Sequence, residues 1–269
     1  MLDRKLGRSV PARSSRFEEL LEECCAAGLD TVDFDLCGFR HLEGDEDTLI
    51  AERLDWVKKI PAHNLALNAV HLPFGRAWDV SAIDEAVRTH AIERISPIVR
   101  ALDAASPVCY VLHGSYEPIE VADRAKKLAQ LERSLGELTA LTRTPIAVEI
   151  LPRTCLLNTS AEAIALLDAV KTEQIGICVD VNHFLQETAE DGVRALGDRI
   201  LTTHISDHDY LDEKHWMPGK GKIDWMRLLE AFEAIGYQGS FNYEVDAEGI
   251  PAAEIRASYD ALLSRYRAR

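Results

Sequence analysis

Short apolar runs alternate along the chain with longer stretches whose apolar residues recur every three or four positions, the pattern of strands each followed by a helix. Eight runs carry the strand pattern, at residues 6–10, 31–36, 65–71, 108–113, 146–150, 175–181, 200–205 and 240–245. Helical spacing occupies residues 16–27, 49–62, 83–104, 121–141, 160–170 and 225–235 between them, and 252–267 after the last run. A short segment, 190–196, fills the interval between the sixth and seventh runs. Local chemistry supports these boundaries. Gly28 and Gly236 stand just past two helical stretches, where a left-handed residue closes a helix. Thr159 or Ser160 can cap the helix whose first turn holds Glu162. Pro97, inside the third stretch, is expected to kink or split it.

Such alternation builds a parallel sheet, either open and doubly wound or closed. Count and length favour closure, since eight units in 269 residues match the roughly 250 residues of a (β/α)8 barrel. The fold class read from the pattern is therefore α/β, a single (β/α)8 TIM barrel with a parallel eight-stranded core. No Pro-, Gly- or Ser-rich linker divides the chain, so residues 1–269 read as one domain. A dinucleotide-binding sheet would carry GxGxxG between a strand and a helix, and none is present. Gly219 and Gly221, on either side of Lys220, follow no strand directly and read as a loop turn or a phosphate-cradling loop.

Composition narrows the partners. With 47% hydrophobic and 28% charged residues the chain can bury a core and is far from a disordered composition. Its formal net charge of -15 sets the overall field against anions, and its basic residues are scattered among acids such as Glu18, Glu19, Glu22 and Glu23. Nucleic acid is therefore not an expected partner. The six cysteines include no CxxC pair, and three lie in or beside apolar runs, which reads as reduced, buried thiols. The opening MLDRKLGRSVPARSS offers no apolar stretch for export, and no segment approaches the roughly 20 apolar residues of a membrane span. The expected setting is cytoplasmic and reducing, away from membranes.

In a barrel of this type the βα loops open at the C-terminal ends of the strands, so reactive groups are sought there. The third run ends in His71 and the fourth in His113, the fifth carries Glu149, the sixth Asp180 followed by His183, the seventh His204 and the eighth Glu244. Six consecutive strands thus deliver His, Asp or Glu to one rim. Any one of them alone would read as a hydrogen-bonded rim residue. Together, carboxylates converging on one axis would repel unless a cation or protons neutralised them. A divalent metal is the natural neutraliser, and carboxylate oxygen with imidazole nitrogen suits Mn, Mg or Zn.

The stretches VHLPFG (70–75), VLHGS (111–115), AVEIL (147–151), CVDVNHF (178–184), THISD (203–207), WMPGKGKIDW (216–225) and NYEV (242–245) resemble the strand-end motifs of the xylose isomerase-like barrel superfamily. That superfamily includes sugar epimerases, hydroxypyruvate isomerase, inosose dehydratase and abasic-site endonucleases. The resemblance implies one divalent ion held by Glu149, Asp180, His204 and Glu244, with His183 touching substrate hydroxyls. It implies that His71 and His113 line the pocket or, in the endonuclease branch, hold additional zinc. Two departures stand out. Many relatives follow the first metal Glu with Asn, where this chain has Glu149-Ile150-Leu151-Pro152. Glu213-Lys214-His215 stands where the endonucleases place an Asp and a His on zinc.

A metal between two adjacent oxygens of a hydroxy-ketone acidifies the neighbouring C–H and stabilises the enediolate that forms. Glu149 and Glu244 would then remove and return protons. The expected activity is a metal-dependent isomerase or epimerase of a sugar, sugar phosphate or related keto-polyol. A lyase or dehydratase of the same superfamily uses the same logic. A zinc-dependent abasic-site endonuclease is the other class, for which His71, His113, Glu149, Asp180, His183, His204, Glu213, His215 and Glu244 are all chemically suitable. His215, Lys220 and Trp78 complete the substrate-binding candidates, Trp78 being one of four loop aromatics, with Phe39, Phe74 and Trp216, that could stack on a sugar. His41 with Glu43, Asp45, Glu46 and Asp47 reads as a solvated loop or lid, and His208 and Asp209 as surface residues or as aids to the pocket. The expected partner is a small carbohydrate, and a homo-oligomer is compatible with the chain.

Overall fold

The computed structural model describes residues 4–39 and 42–269. Eight strands and eight helices alternate among these residues: β1 (Leu6–Pro11), α1 (Phe17–Ala26), β2 (Thr31–Asp35), α2 (Glu46–Arg53), β3 (Ala66–His71), α3 (Glu85–Leu102), β4 (Cys109–Leu112), α4 (Arg124–Thr139), β5 (Ile146–Glu149), α5 (Ser160–Val170), β6 (Ile175–Asp180), α6 (Ala189–Leu196), β7 (Ile200–Ile205), α7 (Trp225–Ala234), β8 (Phe241–Tyr243) and α8 (Ala252–Arg267). Every strand pairs in parallel with its neighbour in sequence, and β8 pairs with β1, so the sheet is a closed (β/α)8 barrel.

Side-chain alternation along the strands divides the core in two. Tyr110, Leu112, Val148, Ile177 and Val179 face outward and pack with helix residues such as Leu20, Ile95, Leu131 and Leu166. Each large aliphatic side chain buried there contributes about 1.5–3 kcal/mol. The inward positions carry small residues, and Ala69, Cys109, Val111, Ala147 and Cys178 form a separate cluster inside the barrel.

Most boundaries agree with the sequence pattern, and the exceptions have local causes. The stretch 49–62 is not one α-helix: α2 begins earlier, at the Asp45 cap, and gives way to a 3-10 segment, Leu54–His63, that contains Pro61 and stops at left-handed Asn64. Pro97 neither splits nor ends α3, whose apolar side (Ile92, Ile95, Ile98, Val99, Leu102) is anchored on the barrel on both sides of the proline. Gly28 and Gly236 take positive φ past α1 and α7, and the Thr159 hydroxyl accepts from the Glu162 amide at the start of α5. The acidic segment expected as a solvated loop or lid is exposed and non-helical through Asp45 and then becomes the first turn of α2, where Glu46 and Asp47 pair with Arg94; His41 lies outside the described residues. All six cysteines are free. Among the described residues no helix is long and apolar enough to cross a membrane.

Candidate active site

Two positions beyond the small interior residues Ala69, Val111, Ala147 and Cys178, on the same side of each strand, come His71, His113, Glu149 and Asp180. The same step on β7 leads from Thr202 to His204, and on β8 from Asn242 to Glu244. Strand periodicity thus stacks a ring of ionisable groups directly on a floor of small side chains.

Donor atoms of Glu149, Asp180, His204 and Glu244 all lie within 4.8 Å of one another. His204, wholly buried, directs Nδ1 at both glutamates, 3.1 Å from Glu149 Oε1 and 3.0 Å from Glu244 Oε2. Asp180 Oδ2 is buried with no hydrogen-bond partner among the described residues. The other Glu149 oxygen, Oε2, meets Nε2 of His113 at 2.9 Å and of His71 at 3.2 Å. Burial alone would raise the Glu149 carboxyl, but the imidazoles of His113 and His204 hold it well below the usual carboxylate range. Asp180 has less compensation: burial and the nearby glutamates push it up to about 7 even against His183. Three carboxylates and an imidazole around one point, with one carboxylate oxygen outside any hydrogen bond, are a donor set chemically suited to a hard or borderline divalent cation.

His183 gives Nδ1 to the Ile150 carbonyl at 2.8 Å and turns Nε2 toward Asp180 (3.4 Å) and Glu213 (3.2 Å). Burial disfavours the imidazolium, but Asp180 and Glu213 prevail and raise His183 to about 10. Above these groups opens a cavity of about 270 Å³. Its lining includes Glu149 and Glu244 but neither Asp180 nor His204, which lie beneath. Phe74 stacks on His113 with ring centroids 4.1 Å apart. Arg153 is the only Lys or Arg among the described lining residues, and it is engaged at once by Glu117 (2.6 Å), Asp212 (2.6 Å) and Glu213 (3.2 Å).

Of the expected substrate-binding residues, His71, His113, His183 and His215 line the cavity, and Trp78 and Lys220 do not. Trp78 is buried, its indole donating to Glu46 under the Arg94 guanidinium, 3.6 Å from the ring. Lys220 is exposed, because the glycine loop around it is drawn toward Asp207, whose carboxylate accepts from the amides of His208, Gly219 and Ile223 and from the Trp225 indole. Of the four aromatics Phe39, Phe74, Trp78 and Trp216, Phe74 alone reaches the cavity, whose lining also includes Tyr116; Phe39 is buried and Trp216 exposed outside it. His208 is buried, not on the surface.

Sequence reasoning passed over Asp35, Cys37 and Arg153, which line the cavity, and Asp33, which lies behind His204. A signal for two of them was present: Thr31, Asp33 and Asp35 alternate with apolar residues along β2, so polar side chains recur on its inward face.

The chain is thus a closed eight-stranded barrel whose strands carry, at their C-terminal ends, a histidine–carboxylate cluster that could hold a metal ion. A family model described as xylose isomerase-like TIM barrel matches residues 21–265, and the chain belongs to that family. It is 26% identical to the D-psicose 3-epimerase of Enterocloster bolteae over 83% of this chain and 75% of that protein. It is 22% identical to the L-ribulose 3-epimerase of Mesorhizobium japonicum over 88% of this chain and 77% of that protein. In architecture it is similar to the crystal structure of a D-tagatose 3-epimerase-like protein, with a TM-score of 0.80, 19% identity and 98% of each chain covered.

Proposed function

We propose that this chain is a divalent-metal-dependent isomerase or epimerase of a sugar, with a ketose 3-epimerase as the finer reading. Relatives named as 3-epimerases of D-psicose and L-ribulose support the substrate class. One observation carries the mechanism: Glu149 and Glu244 flank His204 Nδ1 and face the cavity, while Asp180 and His204 stay beneath. In this reading Glu149, Asp180, His204 and Glu244 hold one Mn, Mg or Zn ion. When bound, the ion would supply Lewis-acid stabilisation of charge developing on the substrate's oxygens. One glutamate takes the proton from the carbon beside the carbonyl, and the other returns a proton to the opposite face of that carbon. His183 is fixed by the Ile150 carbonyl and presents Nε2 to substrate hydroxyls. A cavity of about 270 Å³ is small for a ligand site and suits a monosaccharide. The reading treats residues 1–269 as one domain, and the free cysteines favour a cytoplasmic setting.

The experiment is a screen of ketoses for solvent-deuterium incorporation. Glu149→Gln and Glu244→Gln should each lower kcat by about 10²- to 10⁴-fold, and turnover surviving in the double variant would overturn the assignment.

One observation favours a second reading, a zinc-dependent abasic-site endonuclease: Asp180, His183 and His215 bring donor atoms within 4.8 Å of one another, an arrangement able to hold a further ion. Several zinc ions per chain, with cleavage of abasic DNA, would establish it; one ion with ketose exchange supports the epimerase.

A further inference from the structure

The interior of the barrel holds a polar group that the proposed chemistry does not use. Along β2 and β3 the ladder is in register at Thr31 with Ala66 and Val32 with Leu67, then skips so that Asp33 faces Ala69. Asn68 is the extra residue of that bulge, and bulges beside sites commonly re-aim a side chain. Asn68 turns into the barrel, donating Nδ2 to Asp33 Oδ1 at 2.7 Å and to Thr202 Oγ1 at 3.0 Å. The Ala69 amide donates to the same Asp33 oxygen at 3.0 Å. One oxygen of Asp33 is therefore fixed by two donors.

The other oxygen is unclaimed. Asp33 Oδ2 and His204 Nε2 are both fully buried, and neither has a hydrogen-bond partner among the described residues. They face each other at 3.5 Å. On its opposite edge the His204 ring turns Nδ1 to Glu149 and Glu244. An imidazole that ligates through one nitrogen carries its proton on the other, and a carboxylate behind it fixes both tautomer and ring orientation.

We propose that Asp33, anchored by the Asn68 bulge, is the positioning residue that holds the proton of His204 on Nε2 and so keeps the Nδ1 lone pair directed at the cation site. This rests on the reading of Glu149, Asp180, His204 and Glu244 as metal ligands. On ion binding the Nε2 to Oδ2 separation shortens to a charge-assisted hydrogen bond of about 2.8 Å. Asp33→Asn keeps shape and, with its amide oxygen still accepting from Asn68 and Ala69, turns an NH2 toward Nε2. A donor then faces a donor, and His204 is driven to the tautomer protonated on Nδ1.

The test measures Mn²⁺ and Zn²⁺ affinity by chelator competition on the metal-free chain. Asp33→Asn should bind about 10- to 100-fold more weakly than the unaltered protein. Thr202→Val, which loosens the same buried network without touching His204, should stay within about twofold. Equal affinity of Asp33→Asn and the unaltered chain, or an equal loss in Thr202→Val, overturns the proposal. Should Asp33→Asn not fold, nitrogen-15 histidine spectra of the unaltered, zinc-loaded protein decide: His204 with zinc on Nδ1 and its proton on Nε2 supports the proposal, and the reverse arrangement overturns it. Failure of the unaltered chain to bind either ion overturns the metal reading itself, and the proposal with it.

Discussion

Glu149 is almost wholly enclosed, yet its two oxygens meet three imidazoles, of His71, His113 and His204. A carboxylate stripped of water is tolerable only with such compensation, and the arrangement keeps it ionised. His183 sits differently, with one nitrogen tied to a backbone carbonyl and the other facing carboxylates at the cavity wall. Its loss should impair binding more than chemistry: in steady-state kinetics His183→Gln should raise KM by about tenfold, the worth of one hydrogen bond to a charged group, with kcat changed less. The strand-end rule made the six rim groups legible in the sequence, because strand termini aim the barrel's inward side chains at its mouth. It gave no grip on Arg153 or Cys37, which sit in connections whose paths periodicity does not encode. Nor did it reveal Asp33, which lies mid-strand and whose meaning depends on a bulge one strand away.

Among the elements, the β7–α7 connection is the most tightly specified. The Asp207 carboxylate gathers four donors, and the chain passes so close that a Cβ at Gly221 would lie 2.2 Å from the His208 carbonyl and 2.3 Å from Asp207 Oδ1. Neither neighbour can yield without undoing the loop. Gly221→Ala should cost about 1–3 kcal/mol in denaturant melts and weaken activity, since Glu213 and His215 lie on the same connection. His208 is sealed within it, close to the Tyr210 ring (4.5 Å), and burial depresses its imidazole to about 4 from the ordinary 6.5. The unfolded chain therefore takes up a proton first as pH falls. Stability should decline from near pH 6.5 down to about pH 4, by at most about 1.4 kcal/mol per pH unit, and this component should be absent above that window. Melts across it should show a shallower dependence for His208→Gln. At this scale the sequence was a good guide to where helices begin and a poorer one to their continuity, as α3 shows: packing on both sides of Pro97 overrides the missing amide.

For the molecule as a whole, closure follows from eight strands pairing in chain order with no edge left over. That was readable because the repeat count is visible in the pattern, whereas the register that aligns Glu149 with Cys178 and Asp180 with His204 emerges only on closure. The cluster of possible donor groups assembled from β5, β6, β7 and the residue after β8 exists only in the folded barrel, so binding of an ion there would be linked to global stability. With free ion at about 100 times Kd the native state gains about 2.7 kcal/mol, worth about 5 °C in Tm for a chain of this size. Thermal melts with and without chelator should show that difference, and an unchanged Tm would count against a metal centre.

The Arg153 cluster brings a consequence for traffic through the mouth. Glu117, Arg153, Asp212 and Glu213 belong to the connections after β4, β5 and β7, so three separate loops share a single guanidinium. None of the three can swing outward alone without giving up an ion pair. Those pairs stand at the solvent boundary and weaken as ionic strength rises, whereas the groups on the barrel floor are shielded from it. Raising ionic strength should therefore loosen these three loops, through Glu213 also the partner of His183, and a salt titration of KM in the proposed reaction would show it.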